Sequence, residues 1–286
     1  MPDSSISITP SPGLYIVATP IGNLGDLTLR AAAVLKSANV IAAEDTRVTA
    51  KLLRHLGVKV PLVAYHDHSE AAVRDALVSR AASEVVALVS DAGTPLISDP
   101  GYKLVRDARA AGRNIVTLPG PCAAIAALTL AGLPTDRFLF AGFLPSKAKA
   151  RADAIAELAA VRATLVFYES GLRLGAALAA LAQGLGNREA AVARELTKLY
   201  EECVTGTLAQ LSARYADAPP KGEIVIVIAP KGEDEAETGD DGAVDAALAE
   251  ALNNMSVAKA AKAVAARFGR ERSDIYARAL ALKGGA

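Results

Sequence analysis

The chain has 286 residues, 52% of them hydrophobic and 22% charged, a balance that belongs to globular proteins and excludes wholesale disorder. At roughly 150 residues per domain, the length predicts about two domains. Thirty-one Lys plus Arg cancel thirty-one Asp plus Glu, so a grip on a polyanion has to come from a local basic patch and not from the global field.

The only cysteines are Cys122 and Cys203, and with His55, His66 and His68 they lack the spaced pairs of a structural zinc site. No disulfide framework and no metal are expected. Residues 1–13 are Ser/Pro-rich, without the basic start and apolar core of a signal peptide, and are expected to be disordered. The longest apolar stretch, from Cys122 to Leu133, is too short for a membrane span. A soluble, cytoplasmic protein is expected.

In chain order, strands are predicted at 14–18, 40–43, 60–64, 85–89, 115–118, 164–168, 190–193 and 224–229, short apolar runs bare of polar alternation, as in parallel sheets covered on both faces. The fold class is α/β. Between these runs, Asp99 reads as an N-cap with Pro100 opening a helix that Gly112 stops, and Pro121 opens a small-residue helix that Gly132 closes. The Gly/Pro/Lys-bearing stretch 142–149 predicts a junction near 143–146, giving an N-terminal α/β domain over 14–142 and a C-terminal one over 143–230. Six of the nine residues from Glu233 to Asp241 are acidic, which predicts a solvated linker over 231–242. Beyond it, 243–286 reads as a helical tail. Seven basic residues (Lys259, Lys262, Arg267, Arg270, Arg272, Arg278, Lys283) against two acids leave residues 251–286 at net +5. Ser256 and Gly269 bracket one helix, and Ser273 precedes another, a helix-turn-helix pattern. Such a tail tracks phosphates or packs as a helical hairpin on a partner subunit.

Three loops each follow a strand and lead toward a helix, where ligands collect at the carboxyl ends of strands in open α/β sheets. They are Ala18-Thr19-Pro20-Ile21-Gly22-Asn23-Leu24-Gly25-Asp26, Ser90-Asp91-Ala92-Gly93-Thr94-Pro95 running on through Ile97-Ser98-Asp99-Pro100-Gly101, and Leu118-Pro119-Gly120-Pro121-Cys122-Ala123. Each alone is compatible with an ordinary βα turn, because turn chemistry favours Gly, Pro and Asp. A Walker loop, a metal-spaced acidic set and a Ser-hydrolase elbow are all missing from the sequence.

These loops occur in order with Ala43-Glu44-Asp45-Thr46-Arg47, Tyr65-His66-Asp67-His68-Ser69-Glu70, Gly142-Phe143-Leu144-Pro145, Phe167-Tyr168-Glu169, Arg194-Glu195-Leu196-Thr197-Lys198 and Gly222-Glu223-Ile224-Val225. Together the nine motifs, over 14–230, resemble the tetrapyrrole methylase superfamily, and within it the bacterial enzymes that 2′-O-methylate a cytidine of 16S ribosomal RNA. The basic tail is similar to the C-terminal helices of that group. The resemblance implies two α/β domains, a mostly parallel sheet in the first and a mixed sheet in the second, plus a small helical segment. It implies a homodimer that binds S-adenosylmethionine between the domains and acts on the small ribosomal subunit. By the same resemblance the cofactor is held by Pro20, by Asp91, Ala92, Gly93 and Ile97, by Gly120, Cys122 and Ala123, and by Glu169, Leu196 and Glu223 of the second domain. One departure is local. After Phe167-Tyr168-Glu169-Ser170 the family shows Pro-His before an Arg, whereas Gly171-Leu172 precede Arg173 here, so that histidine has no counterpart.

A sulfonium methyl is already electrophilic, so the protein mainly has to align a ribose hydroxyl and remove its proton. Base candidates are Glu44, Asp45, His66 and His68; Asp45 beside Arg47 also reads as a surface ion pair. Lys198 is carried as a catalytic candidate that could equally hold phosphate or brace the cleft. Arg47, Arg194, Lys259, Lys262, Arg267, Arg270 and Arg272 are the RNA-binding candidates. The alternatives are a C-methyltransferase of precorrin-type tetrapyrroles and a non-catalytic RNA-binding assembly protein.

Overall fold

The computed structural model describes residues 10–66, 71–232 and 240–284. Most of the expected disordered terminus (1–9), His68 and most of the acidic linker (233–239) lie outside the described residues.

Strands β1 (Gly13–Val17), β2 (Val40–Ala43), β3 (Leu62–Ala64), β4 (Val85–Val89) and β5 (Ile115–Leu118) form one sheet in the order β3-β2-β4-β1-β5, parallel throughout. The apolar runs of the inner strands β1, β2 and β4 are covered on both faces. Tyr15, Val17 and Ile41 pack on Leu35 and Leu52 of α1 (Leu29–Ser37) and α2 (Thr46–His55). Their neighbours Leu14, Val40 and Leu88 pack on Leu77 and Leu104 of α3 (Ala71–Arg80) and α4 (Tyr102–Ala110). This strand order sets the carboxyl ends of β2, β4, β1 and β5 side by side, so loops far apart in sequence meet at one edge.

The second sheet runs β6-β7-β10-β8-β9, from β6 (Phe138–Phe143), β7 (Thr164–Ser170), β8 (Glu189–Arg194), β9 (Glu202–Thr207) and β10 (Glu223–Ile228). Only the β6–β7 pair is parallel; the rest are antiparallel. Strand β10 shows the period of two plainly. Ile224, Ile226 and Ile228 join the core under α6 (Ala148–Leu158), α7 (Gly171–Leu185) and α8 (Leu208–Tyr215). Val225 and Val227 face Ala124, Ala127 and Leu128 of α5 (Ala123–Leu130). Helix α5 follows the last strand of the first sheet but packs on the second, so it is the wedge between the two halves.

Two strands escape the sequence reading. In β9, an edge strand reading Glu-Cys-Val-Thr-Gly-Thr, only partial burial is required, so no apolar run marks it. Strand β6 lies before the expected junction at 143–146 yet pairs with β7, so the changeover between sheets falls between β5 and β6. The start of α4 is also corrected. Its cap is Gly101 at φ +134, where a Cβ would come within 2.8 Å of Leu88 Cδ2, and not Asp99. Helix α5 begins at Ala123 with Cys122 as cap, two residues after Pro121.

At the C-terminus, α9 (Asp241–Leu252), α10 (Val257–Phe268) and α11 (Arg272–Gly284) enclose their own core of Val244, Leu248, Val264, Phe268 and Ile275. Ser256 and the left-handed Gly269 bound α10 as expected, while α11 starts at Arg272, ahead of Ser273. The tail is less free as a cation than the net +5 of residues 251–286 suggests. Arg278 pairs with Asp245 at 2.7 Å and Asp241 at 3.1 Å, and Arg270 with Asp241 at 3.6 Å.

Candidate active site

The three glycine-bearing loops converge. Thr19 and Gly93 exchange backbone hydrogen bonds, Thr19 N–H donating to Gly93 O at 2.9 Å and Gly93 N–H to Thr19 O at 3.0 Å. Thr94 Oγ1 donates to Pro121 O at 2.9 Å, tying the second loop to the third. Gly120 lies so close to Ala18 that a Cβ would approach Ala18 Cβ to 2.8 Å. The loop after β2 joins through Asp45 N–H, which donates to Asp91 Oδ1 at 2.9 Å. Gly93 sits at φ +81 with Ile21 beside it, a backbone state that a β-carbon disfavours.

Between this loop cluster and the second sheet is a cavity of about 390 Å³. The first half contributes Ile21, Glu44, the 91–94 turn, the 97–99 turn and Ala123. The second contributes Phe143, the 168–170 end of β7, Leu196 and the 222–225 start of β10. Among the described residues the non-glycine positive-φ positions are Leu96, Ser98, Glu195 and Thr197, all in the two loops that flank this cavity. Strained backbone of this kind persists where surrounding contacts over-determine it, commonly at functional sites.

Five carboxylates line the walls: Glu44, Asp91, Asp99, Glu169 and Glu223. Glu169 has a side chain only 1% exposed. Its Oε1 accepts from Ser170 N–H at 2.8 Å and pairs with Arg173 Nε at 3.2 Å, and Arg173 also donates to Leu144 O. Its Oε2 is buried without a hydrogen-bond partner, an arrangement that costs free energy until a donor arrives. Asp99 is half-buried. Burial pushes its carboxyl up to about 6; a Ser90 hydrogen bond opposes that, and the charges of Glu44 and Asp91 add to it. Burial likewise raises the Tyr168 hydroxyl, with Cys122 beside it adding to the shift. That hydroxyl accepts from Ala124 N–H at 3.2 Å, and its ring stands edge-on to Phe140 and Phe143.

Lys198 braces the rim. Its stem lies against Gly22, where a Cβ would collide, and its Nζ donates to Glu195 Oε1 at 2.9 Å and Glu223 Oε2 at 2.8 Å. Burial works against the ammonium, but the bonds to Glu223 and Glu195 outweigh it and hold the lysine charged. Gly222, at φ +104, lets Glu195 approach the chain at a point that a Cβ would fill.

Of the residues singled out in the sequence, Glu44, Asp91, Ala92, Gly93, Ile97, Ala123, Glu169, Leu196 and Glu223 are brought to the cavity. Others are not on its walls. Pro20 precedes the lining residue Ile21, Gly120 packs on Ala18, and Cys122 caps α5. Asp45 caps α2, accepting from Arg47 N–H, and both its oxygens receive the Arg47 guanidinium, which holds the carboxyl down at about 2. His66 is exposed beyond β3, away from the lining. Arg194 is engaged by Glu202 and by Lys221 O, whereas Arg47 is 87% exposed. Lys259, Lys262, Arg267 and Arg272 are exposed on the C-terminal helices. The sequence reading did not assign Asp99 or Tyr168 to the site, although both stand in quoted motifs: Asp-Pro-Gly before a helix imitates a cap, and a Tyr between Phe and Glu in a strand imitates core.

Residues 13–212 match the family described as Tetrapyrrole (Corrin/Porphyrin) Methylases, and residues 238–283 match the RsmI C-terminal HTH domain. A protein of Erythrobacter litoralis named ribosomal RNA small subunit methyltransferase I is 57% identical over 273 residues, covering 96% of each chain. One of the same name from Mesorhizobium japonicum is 47% identical, covering 95% of this chain and 92% of its own. The solved uroporphyrin-III-C-methyltransferase of Thermus thermophilus shares the fold, with a TM-score of 0.54 at 24% identity over 76% of this chain and 94% of that one. With two sheets wedged by α5, a carboxylate-walled cavity at the strand ends and these matches along its length, the chain belongs to the tetrapyrrole methylase family, among the ribosomal RNA small subunit methyltransferase I proteins.

Proposed function

We propose that this protein transfers the methyl group of S-adenosylmethionine to the ribose 2′-hydroxyl of a cytidine in the decoding centre of 16S ribosomal RNA. The observation that carries the reading is the likeness to relatives of that name over nearly the whole chain, C-terminal helices included. The residues present suit the cofactor. A volume of about 390 Å³ falls in the range of small-molecule sites, the unpartnered Glu169 Oε2 asks for a donor, and the wall carboxylates Asp91, Glu169 and Glu223 favour a cation. Asp91, Ala92, Gly93, Ala123, Leu196 and Glu169 would hold it, with Phe143 and Ile97 keeping water from the mouth. Bound there, S-adenosylmethionine supplies an electrophilic methyl group on a sulfonium. Asp45, held at about 2 by Arg47, is too weak a base for a ribose hydroxyl, and Lys198, held charged, orients Glu195 and Glu223.

The acceptor reading draws on the exposed cations of the C-terminal helices. Replacing Lys259 and Lys262 of α10 by Glu together is expected to weaken binding to small subunits at least tenfold and to flatten the dependence of log affinity on log salt by about 2, with unchanged affinity for the cofactor. Filter binding across a salt series checks this; an unaltered salt slope would assign α10 to packing on a partner subunit. A cytoplasmic homodimer is part of the same proposal: Ile125 and Leu130 of α5 and Phe138 of β6 leave apolar surface exposed that a second copy would cover. No helix among the described residues is long and apolar enough to cross a membrane.

The decisive assay incubates purified protein and tritiated S-adenosylmethionine with unmodified small subunits or with a tetrapyrrole. Label in one 2′-O-methylcytidine of the RNA supports the reading, whereas label in the tetrapyrrole alone replaces it with C-methylation.

A further inference from the structure

Asp99 stands where no assigned role accounts for it. It sits on the cavity wall, half-buried, at the end of a turn pinned on both sides. Ser98, at φ +62, packs against Gly142 of β6, and Gly101, at φ +134, leaves no room for a Cβ beside Leu88 and Leu96. Ser90, 3% exposed just after β4, is close enough to the Asp99 carboxyl to oppose the effect of burial. Three of the other wall carboxylates are committed or differently placed. Asp91 accepts from Asp45 N–H, Glu223 is 76% exposed and paired with Lys198, and Glu169 is fixed by Ser170 and Arg173.

On the reading that this cavity methylates a ribose hydroxyl, we propose that Asp99 is the proton acceptor for that hydroxyl. The hydroxyl oxygen gains the methyl carbon and loses its proton to an Asp99 Oδ. The electron pair of the broken carbon–sulfur bond stays on sulfur, leaving a neutral thioether, and the proton passes on to solvent at the cavity mouth. The chemistry requires a base whose proton affinity lies near the working pH. Asp99 meets that condition, because burial pushes its carboxyl up to about 6 while Asp45 is held at about 2. The groups that face it are Glu44 and Asp91 on the loops after β2 and β4, Ser90 just after β4, and Tyr168 on β7, with the Glu169–Arg173 and Glu223–Lys198 pairs across the cavity. Those two pairs carry their own countercharges, so the Asp99 charge is set mainly by burial, Ser90 and the two nearby acids.

The test uses the full chain and Asp99→Asn, which keeps the shape and removes the base. Calorimetry with S-adenosylmethionine should give affinities within about threefold of each other, and carbon-13 NMR of the side-chain carboxyls should show a titration near 6 that the variant lacks. Single-turnover methyl transfer to small subunits should fall by about 10² to 10⁴ in the variant. The wild-type rate should rise with pH below about 6 and level above it, because the ionised carboxylate is the active form; the residual rate of the variant should lack that rise. A variant that keeps the wild-type rate or the rise overturns the assignment, as does one that loses cofactor affinity in the same proportion as rate, which would make Asp99 a cofactor contact. Failure of the wild-type protein to methylate any RNA overturns the acceptor reading itself, and this assignment with it, and is seen before any variant is compared.

Discussion

Gly171→Ala is expected to lower the thermal midpoint by about 6–12 °C, the equivalent of about 3 kcal/mol for a chain of this size. Gly171 is buried at the first position of α7, directly after the strand that carries Tyr168 and Glu169 into the cavity. A Cβ there would overlap the Pro220 carbonyl oxygen and lie 2.8 Å from its carbon. The obstacle is backbone, so it cannot be relieved by turning a side chain. Either the β7–α7 corner or the 220–222 segment has to move, and both carry cavity residues. Weaker cofactor binding should therefore accompany the loss of stability. Differential scanning fluorimetry with and without S-adenosylmethionine measures both, and a midpoint within 1 °C of wild type would show that the corner yields freely.

Glu169→Gln is expected to weaken S-adenosylmethionine binding by about tenfold to a hundredfold, the worth of roughly 1.5–3 kcal/mol for a charge-assisted hydrogen bond in a dry site. Oε1 is already used by Ser170 N–H and Arg173, so its replacement by an amide costs some stability. The Arg173 side chain is 36% exposed and also bonded to Leu144 O, so it has other partners when the carboxylate is lost. The larger effect falls on Oε2, buried and without a donor. Titration calorimetry on the variant separates the two terms; unchanged cofactor affinity with lowered stability would make Glu169 a scaffold for Arg173 alone.

Much of this was legible in the residues. Strands β2 and β4 follow their apolar runs because a sheet covered on both faces demands uninterrupted Val, Ile, Leu and Ala. The first-half loops announce themselves through Gly and Pro, since close approaches such as Gly120 to Ala18 exclude larger residues. Strand β9 stayed hidden because an edge strand tolerates polar residues on its open side. Asp99 stayed hidden for another reason: its raised carboxyl depends on desolvation and on Glu44 of another loop, which the chain brings near only after folding. Lys198 is similar. Its meaning comes from Glu223, 25 residues on, and from Gly22 in the other half of the protein. The cations of the tail read as a free patch until α9 supplied Asp241 and Asp245 to Arg270 and Arg278.

The most direct test of the cavity as the methyl-donor site is to fill it. Ala92 lines the cavity yet is exposed, outside the packed core, so Ala92→Trp adds bulk to the binding space without crowding either sheet. Titration of S-adenosylmethionine should give one site per chain in the wild-type protein and affinity lowered at least a hundredfold in the variant, with the thermal midpoint of the ligand-free protein unchanged. Equal affinity in the two proteins would contradict the account and move the donor elsewhere on the molecule.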